Sequence, residues 1–137
     1  MPLQVEVVSP ERILWSGEAD MVLARTVGGG DIAFLAGHAP FVGALDVARV
    51  LVRPPDGADQ AIAVHGGFVE VSNDRVTILS DVAELKEQID VPRARAALEA
   101  AQAQLRTEGL EAEGEAARRR ADLRLMVADV ADNLAHH

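Results

Sequence analysis

The sequence predicts an N-terminal antiparallel β-sandwich over residues 1–88 and a C-terminal antiparallel two-helix hairpin over residues 89–137. Three observations predict it. In the first stretch, short apolar–polar alternations recur between turn residues, with no helical period among them. After Glu87 the apolar spacing changes from two to three and four. All four aromatics (Trp15, Phe34, Phe41 and Phe68) and most of the glycine and proline lie in the first part.

Leu3-Gln4-Val5-Glu6-Val7 alternates with period two, the pattern of a half-buried strand. Similar runs at 19–26, 47–53, 60–64, 68–71 and 76–79 predict further strands. Turn chemistry separates them at Ser16-Gly17, Gly28-Gly29-Gly30, Pro54-Pro55-Asp56-Gly57 and Ser72-Asn73-Asp74. Beyond them, Ala94, Leu98, Ala101 and Leu105 form one stripe of a helix, with Asp90 as its N-cap and Pro92 in its first turn. Thr107-Glu108-Gly109 ends it, Gly109 being suited to the left-handed cap.

Leu123, Val127, Val130 and Leu134 make a second stripe with Met126 beside it, on a helix expected to start near residues 113–115. Carboxylates there favour the positive end of the helix dipole. A short loop between the two helices predicts that they fold back antiparallel. Their stripes are narrow and alanine-rich, and isolated helices of this length are marginal in water. The hairpin is therefore expected to be conditionally stable, docking on the sandwich, on a partner or around a ligand.

The 137 residues hold 22 acidic and 13 basic side chains, a formal net charge of −9 that argues against nucleic-acid binding. Residues 1–88 carry 13 acids and 6 bases, a net of −7, and residues 89–137 carry 9 and 7, a net of −2. Cysteine is absent, which excludes disulfides, thiolate zinc sites and a thiol nucleophile. The N-terminus lacks a signal-peptide pattern, and no apolar run approaches the roughly 18–20 residues of a membrane span. A soluble, cytoplasmic chain is expected, reaching a membrane only through a partner.

Few residues offer chemistry. The single lysine, Lys86, has no glycine loop before it, so there is no Walker phosphate loop, and Gly28-Gly29-Gly30 lacks dinucleotide-binding spacing. His38 and His65 lack metal-ligand spacing, His136 and His137 are terminal, and no GxSxG elbow is present. One constellation stands out: Ile89-Asp90-Val91-Pro92-Arg93-Ala94 with Arg120 and Arg124, four apart on the second helix. The two arginines are placed to grip a polyphosphate, with Asp90 accepting from a base or ribose beside an apolar Ile89. The competing reading is an N-cap plus a solvated arginine face, paired locally as Glu115–Arg119 and Arg118–Asp122.

Taken in order, several segments resemble the epsilon subunit of the bacterial F-type ATP synthase. They are Val7-Val8-Ser9-Pro10-Glu11, Trp15-Ser16-Gly17, Gly30-Asp31-Ile32-Ala33-Phe34-Leu35-Ala36-Gly37-His38-Ala39-Pro40, Gly66-Gly67-Phe68-Val69-Glu70-Val71, Val76-Thr77-Ile78-Leu79 and Ile89-Asp90-Val91-Pro92-Arg93-Ala94. The resemblance implies a non-catalytic central-stalk subunit, peripheral to the cytoplasmic face of the cell membrane. Its implied partners are the gamma subunit, the ring of c subunits and, with the hairpin extended, the alpha and beta subunits. It implies a role in coupling proton flow to rotary ATP synthesis and in restraining ATP hydrolysis through the hairpin.

No cofactor is required on this reading, but ATP is a possible regulatory ligand. The residues matching the family's nucleotide motif are Glu84, Ile89, Asp90, Arg93, Ala94, Arg120 and Arg124, while Ala100 stands where nucleotide-binding members carry a further arginine. Asp31 and His38 match a turn facing the c ring, with Asp31 in place of a common Glu, Ala33 of Gly and Ala36 of Pro. Two alternatives come from other classes: a free-standing ATP-sensing module, and a small cupin-type enzyme. The second lacks the HxH pair it needs.

Overall fold

The period-two alternation at the N-terminus becomes a two-faced strand, β1 (Leu3–Val8). Leu3, Val5 and Val7 are buried and Gln4 between them is exposed. The computed structural model describes residues 2–107 and 111–135, with side chains described for residues 2–103 and 114–128. It divides into two compact units, Met1–Leu85 and Lys86–His137.

In the first unit, β1 is followed by β2 (Ile13–Ala19), β3 (Met21–Thr26), β4 (Gly30–Leu35), β5 (Phe41–Arg53), β6 (Gln60–Ser72), β7 (Arg75–Leu79) and β8 (Ala83–Leu85). Their lateral order is β2-β1-β7-β6-β5-β3-β4, with β8 paired to β6. Neighbours are antiparallel except β1 and β7, which run parallel. A parallel pair needs a long connection. Here the intervening strands supply it, so one parallel pair sits within the expected, otherwise antiparallel sandwich.

β5 and β6, thirteen residues each, serve both layers of the sandwich. Residues 41–45 pair with 67–71 beside β7, while residues 47–52 pair with 60–65 beside β3 and β8. The register is constant throughout and omits only Asp46 opposite Gly66. The buried positions nevertheless change parity there. On β6, where the buried Ala61 and Ala63 lie outside the shared core, the residues that enter it are Ile62 and Val64 before the break, then Val69 and Val71 after it. On β5 they pass from Leu45 to Val50 and Val52. One cluster receives Leu3, Val5, Val7, Val69, Val71, Val76 and Ile78 from one layer, and Val22, Phe34, Val50, Val52, Ile62 and Val64 from the other.

The break is made by Gly66 and Gly67, with φ of 85° and 129°. A Cβ on Gly67 would lie 2.0 Å from the Leu79 carbonyl oxygen, so glycine is required for contact as well as for φ. The buried Ser80 hydroxyl bridges the break, its single proton shared between the carbonyls of Gly66 (2.7 Å) and Val82 (2.9 Å).

Local chemistry accounts for the other turns. Asn73 and Asp74, at φ 51° and 58°, join β6 to β7 in a two-residue mirror-type turn. The glycine run expected as a turn supplies Gly28 and Gly29, which with Val27 connect β3 to β4, while Gly30 opens β4 opposite Thr26. Ser16-Gly17, expected as a turn, lies inside β2 opposite Glu6 and Val5. Gly17 is there because the Trp15 ring folds over it, 3.0 Å from where a Cβ would be. The run expected as one strand at 19–26 divides at Asp20, whose N–H donates to the Arg53 carbonyl at 2.7 Å.

In the second unit a 3₁₀ turn (Lys86–Gln88) leads to α1 (Val91–Thr107), and α2 (Glu111–Ala135) follows. α2 starts two residues ahead of the expected 113–115. It packs on α1 and also touches the 3₁₀ turn before α1, so the helices are antiparallel. Buried Ala94 and Ala101 on α1, and buried Gly114, Ala121 and Ala128 on α2, recur every seven residues, with Leu123 and Val127 beside them. Small residues at this spacing let two helices approach closely while burying little area. The cap residues Glu108 and Gly109 and the terminal His136 and His137 lie outside the described residues, as do the side chains of Leu105, Val130 and Leu134.

Gly67→Ala should destabilise the first unit by about 2 kcal/mol or more, because backbone must move. Gly28→Ala, at φ 79° with nothing within 4 Å of its Cβ, should cost about 1 kcal/mol. Urea unfolding followed by Trp15 fluorescence checks both, and equal midpoints for the two variants would refute the steric account.

Candidate functional site

One outer sheet face carries apolar side chains where water-facing positions are expected to be polar. Register aligns Ala44 with Phe68, Phe68 with Leu79, Leu79 with Val8 and Val8 with Ile13. The result is a row across β5, β6, β7, β1 and β2, roughly 19 Å long at about 4.8 Å per strand. Ile13, Phe68 and Leu79 are 59%, 58% and 47% exposed. Val42, beside Ala44 on the same face, is more exposed still at 73%. A contiguous exposed apolar patch of this kind marks a binding surface.

Asp31, near the start of β4, pairs across the strands with Arg25 of β3; Arg25 Nε donates to Asp31 Oδ1 at 2.9 Å. That hydrogen bond, with the arginine's charge, holds the Asp31 carboxyl below its usual 3.8 and raises Arg25. His38 lies beyond the other end of β4, so the two residues do not share one turn. The His38 N–H donates to the Leu35 carbonyl, and its ring packs edge-on against Phe34, centroids 5.0 Å apart. His38 Nδ1 stands 2.7 Å from the Ala39 carbonyl; a carbonyl only accepts, so Nδ1 carries the proton. His38 thus shapes the loop between β4 and β5.

The residues Ile89, Asp90, Arg93 and Ala94 come together at the start of α1, in the pattern of a capped helix. Asp90 Oδ1 accepts from the Arg93 N–H at 3.1 Å, which is N-cap geometry. The Ala94 N–H donates to the Asp90 carbonyl at 2.9 Å, the first helical bond. Ile89 and Ala94, both buried, occupy the two positions of a hydrophobic staple. Capping and packing therefore account for three residues of the motif and leave the exposed Arg93 guanidinium without a structural task.

On α2, Arg120 is exposed and Arg124 half-buried, one turn apart. Glu115 pairs with Arg118 at 2.6 Å, and Arg118 also reaches Asp122 at 4.0 Å, as expected for that pair. The Glu115 hydrogen bond and charge raise the Arg118 pKa. Glu84, on β8, accepts from Nε2 of His65 at 3.2 Å, and that imidazole is only 4% exposed. This contact pins the short strand β8 to β6.

Residues 2–86 match the family described as "ATP synthase, Delta/Epsilon chain, beta-sandwich domain". The ATP synthase epsilon chain of Streptomyces griseus is 43% identical over 128 residues, covering 93% of this chain and 96% of that one. That of Thermobifida fusca is 53% identical over 104 residues, 73% of this chain and 74% of its own. The chain belongs to the ATP synthase epsilon chain family.

Epsilon chains are non-catalytic stalk subunits of the ATP synthase, and their β-sandwich is the first unit here. The fold is also that of a chain in the cryo-EM structure of the Euglena gracilis mitochondrial ATP synthase OSCP/F1/c-ring assembly. Its TM-score is 0.79 at 24% identity, over 93% of this chain and 81% of that chain. A chain of the Tetrahymena thermophila mitochondrial central stalk and c-ring matches with a TM-score of 0.59 at 14% identity, over 93% and 97%. Among the described residues no helix is long and apolar enough to cross a membrane.

The apolar row escapes a reading for catalytic or ligand motifs. Its signal is nonetheless present: on β6, Phe68 alternates with the inward Val69 and Val71 and so sits on the outer side with Glu70.

Asp90→Ala should cost the second unit about 1 kcal/mol and Asp90→Ser much less. Hydrogen exchange of the first-turn amides of α1 reads this, and unchanged protection in Asp90→Ala would refute the cap. Because Asp31 titrates below its unfolded value, the stability it lends is present above about pH 3.8 and is lost as pH falls through the folded pKa. In an NMR titration, Arg25→Gln should return the Asp31 carboxyl toward the ordinary carboxylate range, and an unchanged midpoint would contradict the pairing.

Proposed function

We propose that this epsilon chain couples proton translocation to rotary ATP synthesis by seating its apolar sheet face on the gamma subunit. On this reading the β3–β4 region around Arg25 and Asp31 faces the ring of c subunits, and the chain lies peripherally at the cytoplasmic face of the membrane through the complex alone. The helical hairpin restrains ATP hydrolysis by exchanging between a folded-down state and one extended toward the alpha and beta subunits. The row Ala44–Phe68–Leu79–Val8–Ile13 is the observation that carries the reading. A free-standing nucleotide sensor has no use for so much exposed apolar surface.

The seam of small residues between α1 and α2 supports the switching role. A pair of helices joined by little buried area opens at low cost, and each partner shifts the balance only by its preference for one state. ATP enters as a regulatory ligand of that same pair, through Arg93, Arg120 and Arg124. Its site would hold one cation fewer than it might, because Ala100 offers no charge. Neither a metal nor another cofactor is needed.

Phe68→Asp should lower the share of the chain that copurifies with gamma by about tenfold or more, as central apolar anchors do. Full retention would overturn the docking reading. Titration calorimetry tests regulatory ATP separately: saturable heat is expected, lost in Arg93→Ala while α1 keeps its helicity. Absence of heat at millimolar ATP would leave the hairpin answering to the rotor alone.

A further inference from the structure

Acidic side chains border the apolar row on both sides. On one side, Glu6 and Glu70 both lie opposite Thr77 in register, on the same face as the row and one step along the strands. On the other side, Glu11 and Asp81 line a depression of about 300 Å³ with Ser9 and Pro10. Among the described residues none of these four carboxylates takes part in an ion pair. The arginines of this layer, Arg12 and Arg75, stand at its margins, in the β1–β2 connection and at the start of β7. A cleft of about 240 Å³ opens beside Gly66 and Gly67; Val8, Phe68 and Leu79 of the row form its apolar wall with Pro10, and His65, Ser80 and Asp81 line the rest.

We propose that the surface seated on this row is an apolar ridge flanked on both sides by lysine or arginine, with one large apolar side chain filling the cleft. The inference rests on the docking reading above and adds the chemistry of the partner. A second copy of this chain would bring four more carboxylates against the first four. An anionic lipid surface or a nucleic acid would meet the same repulsion. A basic-flanked ridge instead neutralises both borders, and opposite charge at the rim accelerates encounter more than it strengthens the final complex. The cleft supplies the buried anchor that such interfaces place near their centre.

The test measures association of the full chain with the gamma subunit of the same complex across ionic strength. Glu6→Lys with Glu70→Lys, and separately Glu11→Lys with Asp81→Lys, should each slow association about tenfold or more at low salt. Dissociation should change little, and the deficit should shrink once salt screens the rim. Glu6→Gln with Glu70→Gln should give a smaller deficit. Asp56→Lys, in the loop at the far ends of β5 and β6, should give none. Unchanged association rates in both lysine pairs, with Phe68→Asp abolishing binding, would overturn the basic-flank inference and leave the docking reading standing. Binding that survives Phe68→Asp would instead remove the docking reading. Sedimentation of the chain alone completes the test: a monomer is expected, and self-association that Phe68→Asp abolishes would mean a second copy occupies the row and would overturn the proposal.

Discussion

Everything in the first unit depends on a steric constraint at Gly66-Gly67. A single sheet can form both layers of a sandwich only if its longest strands change the side they bury without losing register. β5 and β6 do so opposite one another, at Asp46 and at the glycine pair, and the pairing on either side keeps the same alignment. Positive φ and the 2.0 Å approach of the Leu79 carbonyl leave no room for a side chain at Gly67. The same change of parity turns Val69 and Val71 into the core and Phe68 out of it. The feature that closes the core therefore also creates the exposed row.

The two units meet opposite physical demands. The sandwich buries large branched side chains from two layers around Phe34 in one cluster. The hairpin joins helices of 17 and 25 residues along alanines and one glycine, a seam that brings backbones close without much apolar area. A rigid docking domain suits the first arrangement, and the proposed two-state element suits the second. Asp90 gives the second unit a firm start: cap, first helical bond and staple all form within six residues.

Much of this was legible in the residues. The alternation at Leu3–Val8, the turn at Asn73-Asp74 and the cap at Asp90 all rest on local rules, and each stands where those rules put it. Long-range pairing was not legible. Ser16-Gly17 carries turn chemistry, yet Gly17 serves a Trp15 ring folded over a strand. The parallel partnership of β1 and β7 joins segments more than sixty residues apart, which no local pattern encodes. Of the nucleotide motif, Ile89, Asp90 and Ala94 perform structural tasks that any well-started helix needs, so their presence alone carries little about ATP. The proposed ATP contacts therefore rest on Arg93, Arg120 and Arg124. The apolar row went unread because its members come from five strands, and only register brings them together.

The most direct measurement of the central claim is a cryo-EM structure of the assembled ATP synthase containing this chain. The account predicts that the outer face of β2, β1, β7, β6 and β5 is covered by gamma, with Phe68, Leu79 and Ile13 out of contact with water. A structure in which those three side chains remain solvated, with gamma held by another surface of the sandwich, would contradict it.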